Sequence, residues 1–446
     1  MDLAPDRAMT GARTAASLAA LARGAALLVP MALPVAVTPW GVDGYSHVKA
    51  LVLYALAALA AAGWLLSRLA SRPAPWRETP AELAAWGYLL AVMAATVVSG
   101  YPRLSIFGAP GRHEGFFVLA AYVTLYMVGV HLLGSRRGVE AVLTAAAGAA
   151  VAVTGYGLLQ PFVPPLFAGE EFLREWYSRG SLPRISSTVG GPVIFGGYLA
   201  FMLPVFVSMS ARSGVIRRGL WLAAAAGTVV ALALTLTRAA WVGAAAGLFV
   251  FGLAGWRSIP GRRVIAAVLL LTAVGAGGLL LSIGRPGEVV SRVSATATAQ
   301  SGSVAQRVYT WQGTLSLIRS RPLLGWGPET LGEVFPYDRP SLVRYFGLRP
   351  VIINRAHNDV LHVAVSVGIP GAAAYVLFWI LVMAGAWRRR TVLEGSDRIL
   401  VAGWAGALVA YLVQVQFSFS TPAVTATVWL LAGAVSGWLG ETGPRG

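Results

Sequence analysis

Apolar residues in this chain run in long unbroken blocks, not in alternating stripes. About twelve blocks approach the roughly 20 residues that a helix needs to cross a bilayer. They lie near residues 24–40, 48–66, 81–99, 115–133, 139–161, 190–210, 219–236, 239–255, 263–283, 358–386, 399–417 and 421–440. Each block is apolar all round, so periodicity says little and length makes the assignment. The seventh and eighth form a tight hairpin around Thr237-Arg238, and the last two turn at Ser420-Thr421-Pro422. The pattern predicts an all-α polytopic membrane protein. Residues 1–283 form an N-terminal transmembrane bundle, 284–357 a large extracytoplasmic loop domain with short helices, and 358–446 the C-terminal transmembrane helices.

Polar residues between the blocks orient the bundle. One set of alternate short loops holds Arg68, Arg72 and Arg77; Arg136 and Arg137; Arg212, Arg217 and Arg218; Arg257, Arg262 and Arg263; and Arg388, Arg389 and Arg390. Short basic loops stay in the cytoplasm, which puts both termini inside. The basic stretch 1–23 resembles a signal peptide, but reads better as a cytoplasmic tail running into a first anchor. The opposite face receives three longer connections. Residues 100–114 include Arg103, Arg112, His113 and Glu114. Residues 162–189 carry Glu170, Glu171, Arg174, Glu175, Arg179 and Arg184. The third runs from 284 to about 356.

Composition agrees with a membrane chain. Hydrophobic residues make up 57% and charged residues 12% of the 446 positions, against about 25% charged in soluble domains; mean hydropathy is +0.68. The absence of cysteine excludes disulfides, thiolate metal sites and cysteine nucleophiles. The net charge of +17 is almost all arginine, Lys49 being the only lysine. Because most of it sits in interhelical loops, it reads as topology and not as a nucleic-acid surface.

The long external loop departs from this economy. It carries Arg285, Arg292, Arg307, Arg319, Arg321, Arg339, Arg344, Arg349 and Arg355 against Glu288, Glu329, Glu333 and Asp338. Such a surface suits an anionic ligand such as a diphosphate; lipid headgroup contact is the bland alternative. Within it, residues 303–320 read as a helix, with Val304, Val308, Trp311, Leu315 and Ile318 at helical spacing, Ser303 as N-cap and Pro322 beyond the end. The run Pro322-Leu323-Leu324-Gly325-Trp326-Gly327-Pro328 cannot continue it.

The richest segment is Asn354-Arg355-Ala356-His357-Asn358-Asp359, where that loop meets a membrane helix. Ionisable groups at a membrane boundary are costly unless they pair or react. His357 titrates near neutrality when unperturbed and suits a general base, although a histidine near a helix start also serves as a structural hydrogen-bonder. Arg238, in the predicted outer hairpin, is either a phosphate clamp or a snorkelling side chain. His362 lies off the helical face of His357, which argues against a two-histidine metal site; His47 and His113 are singletons on outer loops. Phosphate-loop and nucleophile-elbow motifs are missing.

The residues Thr235-Leu236-Thr237-Arg238-Ala239-Ala240-Trp241, Arg307 with Trp311, residues 322–328, and His357-Asn358-Asp359-Val360-Leu361 followed by Gly368-Ile369-Pro370-Gly371 together resemble the O-antigen ligase superfamily of ligases, polymerases and protein oligosaccharyltransferases. That resemblance implies a GT-C type membrane glycosyltransferase of the bacterial inner membrane. Such an enzyme moves a glycan from undecaprenyl diphosphate to a hydroxyl acceptor on the outer face, with no metal, cofactor or nucleotide sugar. The implied catalytic residues are Arg238, Arg307 and His357. Candidate contacts to the diphosphate or glycan are Arg238, Arg307, Arg355, Asn358, Trp311 and Arg112. An asparagine-containing segment common in the family reads Ser187-Thr188-Val189-Gly190-Gly191-Pro192 here. Ligase chemistry is preferred because the loop holds the signature in ligase order. A polymerase shares the same residues, and a transporter of lipid-linked glycan is the alternative from another class.

Overall fold

The computed structural model describes residues 4–40, 44–70, 76, 78–166, 169–171, 174, 184–255, 258–283, 303–346 and 351–441. Arg72, Arg77, Glu175, Arg179, Arg257, Arg285, Glu288, Arg292 and Arg349 lie outside them. The described residues are helical and contain no strand. In chain order the helices are α1 (Ala4–Val35), α2 (Ser46–Ala70), α3 (Glu82–Val97), α4 (Pro102–Phe107), α5 (Phe116–Leu132), α6 (Arg136–Leu159), α7 (Pro192–Ala211) and α8 (Val215–Leu234). They continue with α9 (Arg238–Gly255), α10 (Arg262–Ile283), α11 (Ser303–Ser320), α12 (Leu331–Val334), α13 (Arg339–Phe346), α14 (Asp359–Arg389), α15 (Gly395–Val415) and α16 (Pro422–Glu441).

Nine described helices are long and apolar enough to cross a membrane. Two predicted spans, α3 and α5, are apolar but shorter, at 16 and 17 residues. Helix α10 occupies the ninth predicted segment with 22 residues. The protein is a polytopic helical membrane protein. Exposed apolar side chains such as Leu69, Leu83, Leu90, Phe249 and Leu271 are those a bilayer covers. Helices α7, α15 and α16 are buried along most of their length and form the centre. Close approach depends on small residues, as in membrane bundles generally. A Cβ on Gly433 of α16 would lie 2.0 Å from the Tyr126 carbonyl oxygen of α5, so only glycine admits this crossing.

The two ends of the bundle differ in chemistry. At one end the predicted arginine loops meet: Arg136 pairs with Asp397 at 2.5 Å, Arg212 with Glu140, and Arg212 Nε donates to Ser396 at 2.8 Å. At the other end residues 99–115, 184–191, 235–238, 322–330 and 351–358 converge, joined by the contacts described below. Segment 184–191 is held by Lys49, buried to 2% exposure, whose Nζ donates to the Thr188 carbonyl at 2.9 Å.

Helix α14 breaks after its first two turns, with Gly368 at φ +78°. The turn at residues 322–327 closes the break. Trp326 and Gly327 N–H groups donate to the Val365 and Ser366 carbonyls, both at 2.9 Å, and Ile369 N–H donates to the Pro322 carbonyl at 2.7 Å. Backbone groups freed inside a membrane protein need such partners.

Helix α11 has the predicted extent, but Ser303 is its first residue and not a cap. The apolar stripe read from the sequence is only partly the buried face: Ile318 is buried. Val308 and Leu315 are exposed, whereas Thr310 and Thr314 are buried beside Leu317 and Ile318. The two threonine hydroxyls donate to carbonyls one turn back, each at 2.8 Å, so they can be buried without a further partner.

Candidate active site

The approach to α14 places one residue at a time. Arg355 is buried to 3% exposure. Its Nη2 donates to Glu114 Oε2 at 2.6 Å and pairs with Glu329 Oε1 at 2.7 Å. Its Nη1 donates to His362 Nε2 at 2.6 Å, which fixes the His362 proton on Nδ1. The Glu329 contact is close but not aligned as a hydrogen bond. Burial lifts the Glu329 pKa above the usual carboxylate range although Arg355 opposes it. Burial disfavours charge on Arg355, but Glu329 and Glu114 outweigh it and raise its pKa. A small cavity of about 40 Å³, large enough for water, is lined by Glu114, Glu329, Arg355 and His362 of this cluster.

The neighbouring residues are tied elsewhere. The Ala356 carbonyl accepts a 2.9 Å hydrogen bond from the Trp311 indole of α11. Asn358 caps α14 by accepting from Leu361 N–H at 2.9 Å, and its amide donates to the Gln416 carbonyl at 3.3 Å. His357 stands between these anchors at φ +52°, in the left-handed region. Such a backbone persists only where its surroundings over-determine it. Here the residues on both sides supply that constraint.

His357 faces a cavity of about 140 Å³ that it shares with Arg307, Gln306, Thr310 and Asn354. This is smaller than the roughly 300–1,000 Å³ of ordinary ligand pockets, so it suits a charged head and leaves the bulk of a large substrate outside. Burial, then Arg307, Arg112 and Arg355, lower the His357 pKa to about 4. The imidazole is therefore neutral at physiological pH and able to accept a proton. Arg307 has its pKa lowered by burial and then by Arg238, which places the Arg238 charge within electrostatic reach. Among the described residues no carboxylate pairs with Arg307. The arrangement concentrates cations around one neutral base.

Arg238 is the first residue of α9, after a three-residue turn in which Leu236 has φ +51°. The turn is braced from residues 184–192. Arg184 Nε donates to the Thr235 carbonyl at 2.8 Å and its Nη2 to Thr237 Oγ1 at 3.1 Å. Thr237 Oγ1 in turn donates to the Pro192 carbonyl at 3.1 Å. On the other side, the Arg112 guanidinium lies 4.2 Å from the centre of the Phe419 ring. The same ring also neighbours His357, with ring centres 5.6 Å apart.

The structure thus gathers Arg238, Arg307, Arg112 and His357. Trp311, Asn358 and Arg355 also have internal partners that hold the His357 segment, and Arg355 lines the cavity as well. His47 and His113, expected to be singletons, face each other with ring centres 4.9 Å apart. Sequence reasoning missed Glu114, Glu329, Arg184 and Phe419 as parts of the site. The available signal was that Glu114 and Glu329 are acids next to glycine or proline in loops otherwise rich in arginine.

Residues 220–376, which include Arg238, Arg307 and His357, match the family model described as O-Antigen ligase. No curated relative matches the chain.

Proposed function

We propose, from the match of residues 220–376 to the O-Antigen ligase family model, that the protein is a membrane glycosyltransferase of that superfamily acting on lipid-linked glycan. The donor is a glycan on undecaprenyl diphosphate at the outer face of the cytoplasmic membrane. The acceptor is a hydroxyl of a glycolipid core or another surface molecule. The observation that supports this reading is that Arg307 lines the cavity of a neutral His357, with Arg238 close enough to act on Arg307 electrostatically.

The acceptor oxygen attacks the anomeric carbon as its proton passes to His357. The bond from that carbon to the diphosphate oxygen breaks, and the diphosphate leaves with the electron pair. In-line displacement inverts the anomeric centre. Negative charge grows on the leaving phosphates, where Arg238 and Arg307 stabilise it more than in the intact donor. A pKa near 4 makes His357 a weak base while the arginines around it are unneutralised. A bound diphosphate offsets the surrounding arginines, raises that pKa and so strengthens the base. The proton then passes to the diphosphate product or to solvent.

A polymerase would use the same site with a second lipid-linked repeat as acceptor. The backbone of the α14 break is closed by residues 322–327, which supports an enzyme over a transporter whose unwound helix coordinates its cargo. The test is incubation of purified protein with a lipid-diphosphate glycan and candidate acceptors. A single capped product supports a ligase, and a ladder supports a polymerase. Arg307→Ala and His357→Ala should each lower the rate by about 10²-fold or more. Full transfer by both variants would overturn the reading.

A further inference from the structure

A further cavity, of about 830 Å³, lies away from this site between α6 and α8, with Met209 of α7 also lining it. Its walls are sorted by polarity. Leu143, Val151 and Leu158 of α6 face Leu220, Trp221 and Ala224 of α8. Glu140, Arg212, Ser213 and Arg217 line the end where the arginine loops meet. Arg212 is held by Glu140 and Ser396. Arg217 is exposed, and among the described residues no acid pairs with it. The charged end therefore carries two guanidinium groups against one carboxylate.

Dimensions select the occupant. Along α8 the lining runs from Arg217 to Gly227, ten residues or about 15 Å of helix. That matches one leaflet, half of the roughly 30 Å hydrocarbon core. The volume falls within the range of specific ligand sites, about 300–1,000 Å³. Helix α8 has 20 residues, about 30 Å, so this cationic end and Arg238 lie at opposite ends of the helix. The lipid tail of a diphosphate donor headed at Arg238 would present no anion here.

We propose that this crevice binds an anionic phospholipid of the leaflet at the arginine-rich end. Its phosphate contacts Arg217 beside Ser213, and an acyl chain lies between α6 and α8. The site is independent of the glycosyl-transfer reading. It has a consequence for it nonetheless, because α8 leads into the turn that presents Arg238, and a bound lipid braces that helix against α6.

The test is native mass spectrometry of the full chain after exchange into vesicles of phosphatidylglycerol or phosphatidylcholine. Gly155 lines the crevice, and a Cβ there meets nothing within 4 Å, so Gly155→Phe fills the space without a backbone clash. Arg217→Ala removes one exposed charge and leaves the packing intact. Wild type should retain phosphatidylglycerol in preference to phosphatidylcholine. Arg217→Ala should reduce that preference about fivefold, and Gly155→Phe should abolish retention of either lipid. Inorganic phosphate should fail to displace the lipid; displacement would show a free-anion site and overturn the proposal. Retention by Gly155→Phe equal to wild type, or an unchanged preference in Arg217→Ala, would also overturn it.

Discussion

At the scale of single residues, the site depends on what holds His357 and not on His357 alone. Three of its neighbours, Arg355, Ala356 and Asn358, are each tied to a different part of the chain. Arg355 is the most consequential, because it joins two distant carboxylates and His362 in a fully buried cluster. Removing one member of a buried ion pair leaves the others uncompensated and costs about 3–5 kcal/mol. Arg355→Ala should therefore lower the melting temperature in detergent markedly. An unchanged melting curve would mean that the cluster contributes no stability. The electrostatics of His357 also set a pH dependence. The base must be neutral, and its pKa is lowered to about 4. In the free enzyme, kcat/KM should stay level through neutrality and fall only as pH drops toward 4. The limb for kcat should lie at higher pH, because the bound diphosphate raises the same group. A kcat/KM limb near 6.5 would show that neither burial nor the arginines lower the His357 pKa as described.

At the scale of elements, two short motifs turn out to be one device. Residues 322–328 and 368–371 lie some forty positions apart, yet the backbone of the first completes the hydrogen bonds broken by the second. A Cβ at Gly368 would sit 2.1 Å from the Leu323 carbonyl oxygen, and the residue has φ +78°. Gly368→Ala should cost more than about 2 kcal/mol and speed tryptic cleavage at Arg319 and Arg321, whose side chains are already exposed but whose backbone the folded turn restrains. At Gly385, in the same helix, an added Cβ would meet nothing within 4 Å. Its alanine variant should be neutral or slightly stabilising. Equal trypsin resistance in both variants would detach the loop from the helix break. The extent of α11 was legible from Pro322 and apolar spacing. Its buried face was not, because Thr310 and Thr314 satisfy their own hydroxyls and pack where an apolar residue is expected.

At the scale of the whole molecule, the bundle has two chemically distinct ends. Arginine loops meet acidic helix starts at one, and the candidate site occupies the other. The absence of cysteine makes this directly testable. Val343 of α13 and Val392, between α14 and α15, are both exposed. Single cysteines there should react with an impermeant reagent from opposite sides of the membrane, Val343→Cys from outside the cell. Labelling of both from one side would refute the orientation.

Length and polarity along the chain by themselves determined that this is a membrane bundle, which loops share a face, and which arginines and histidine to watch. These properties follow from local solvation, because a long apolar block has one low-energy place to be and a short basic loop prefers one side. Only the tertiary structure decided that Arg355 belongs to Glu114 and Glu329, that Trp311 and Asn358 serve as anchors, and that Arg184 braces the turn before Arg238. Those contacts join residues up to 241 positions apart. Their energies depend on burial and geometry that no local window contains.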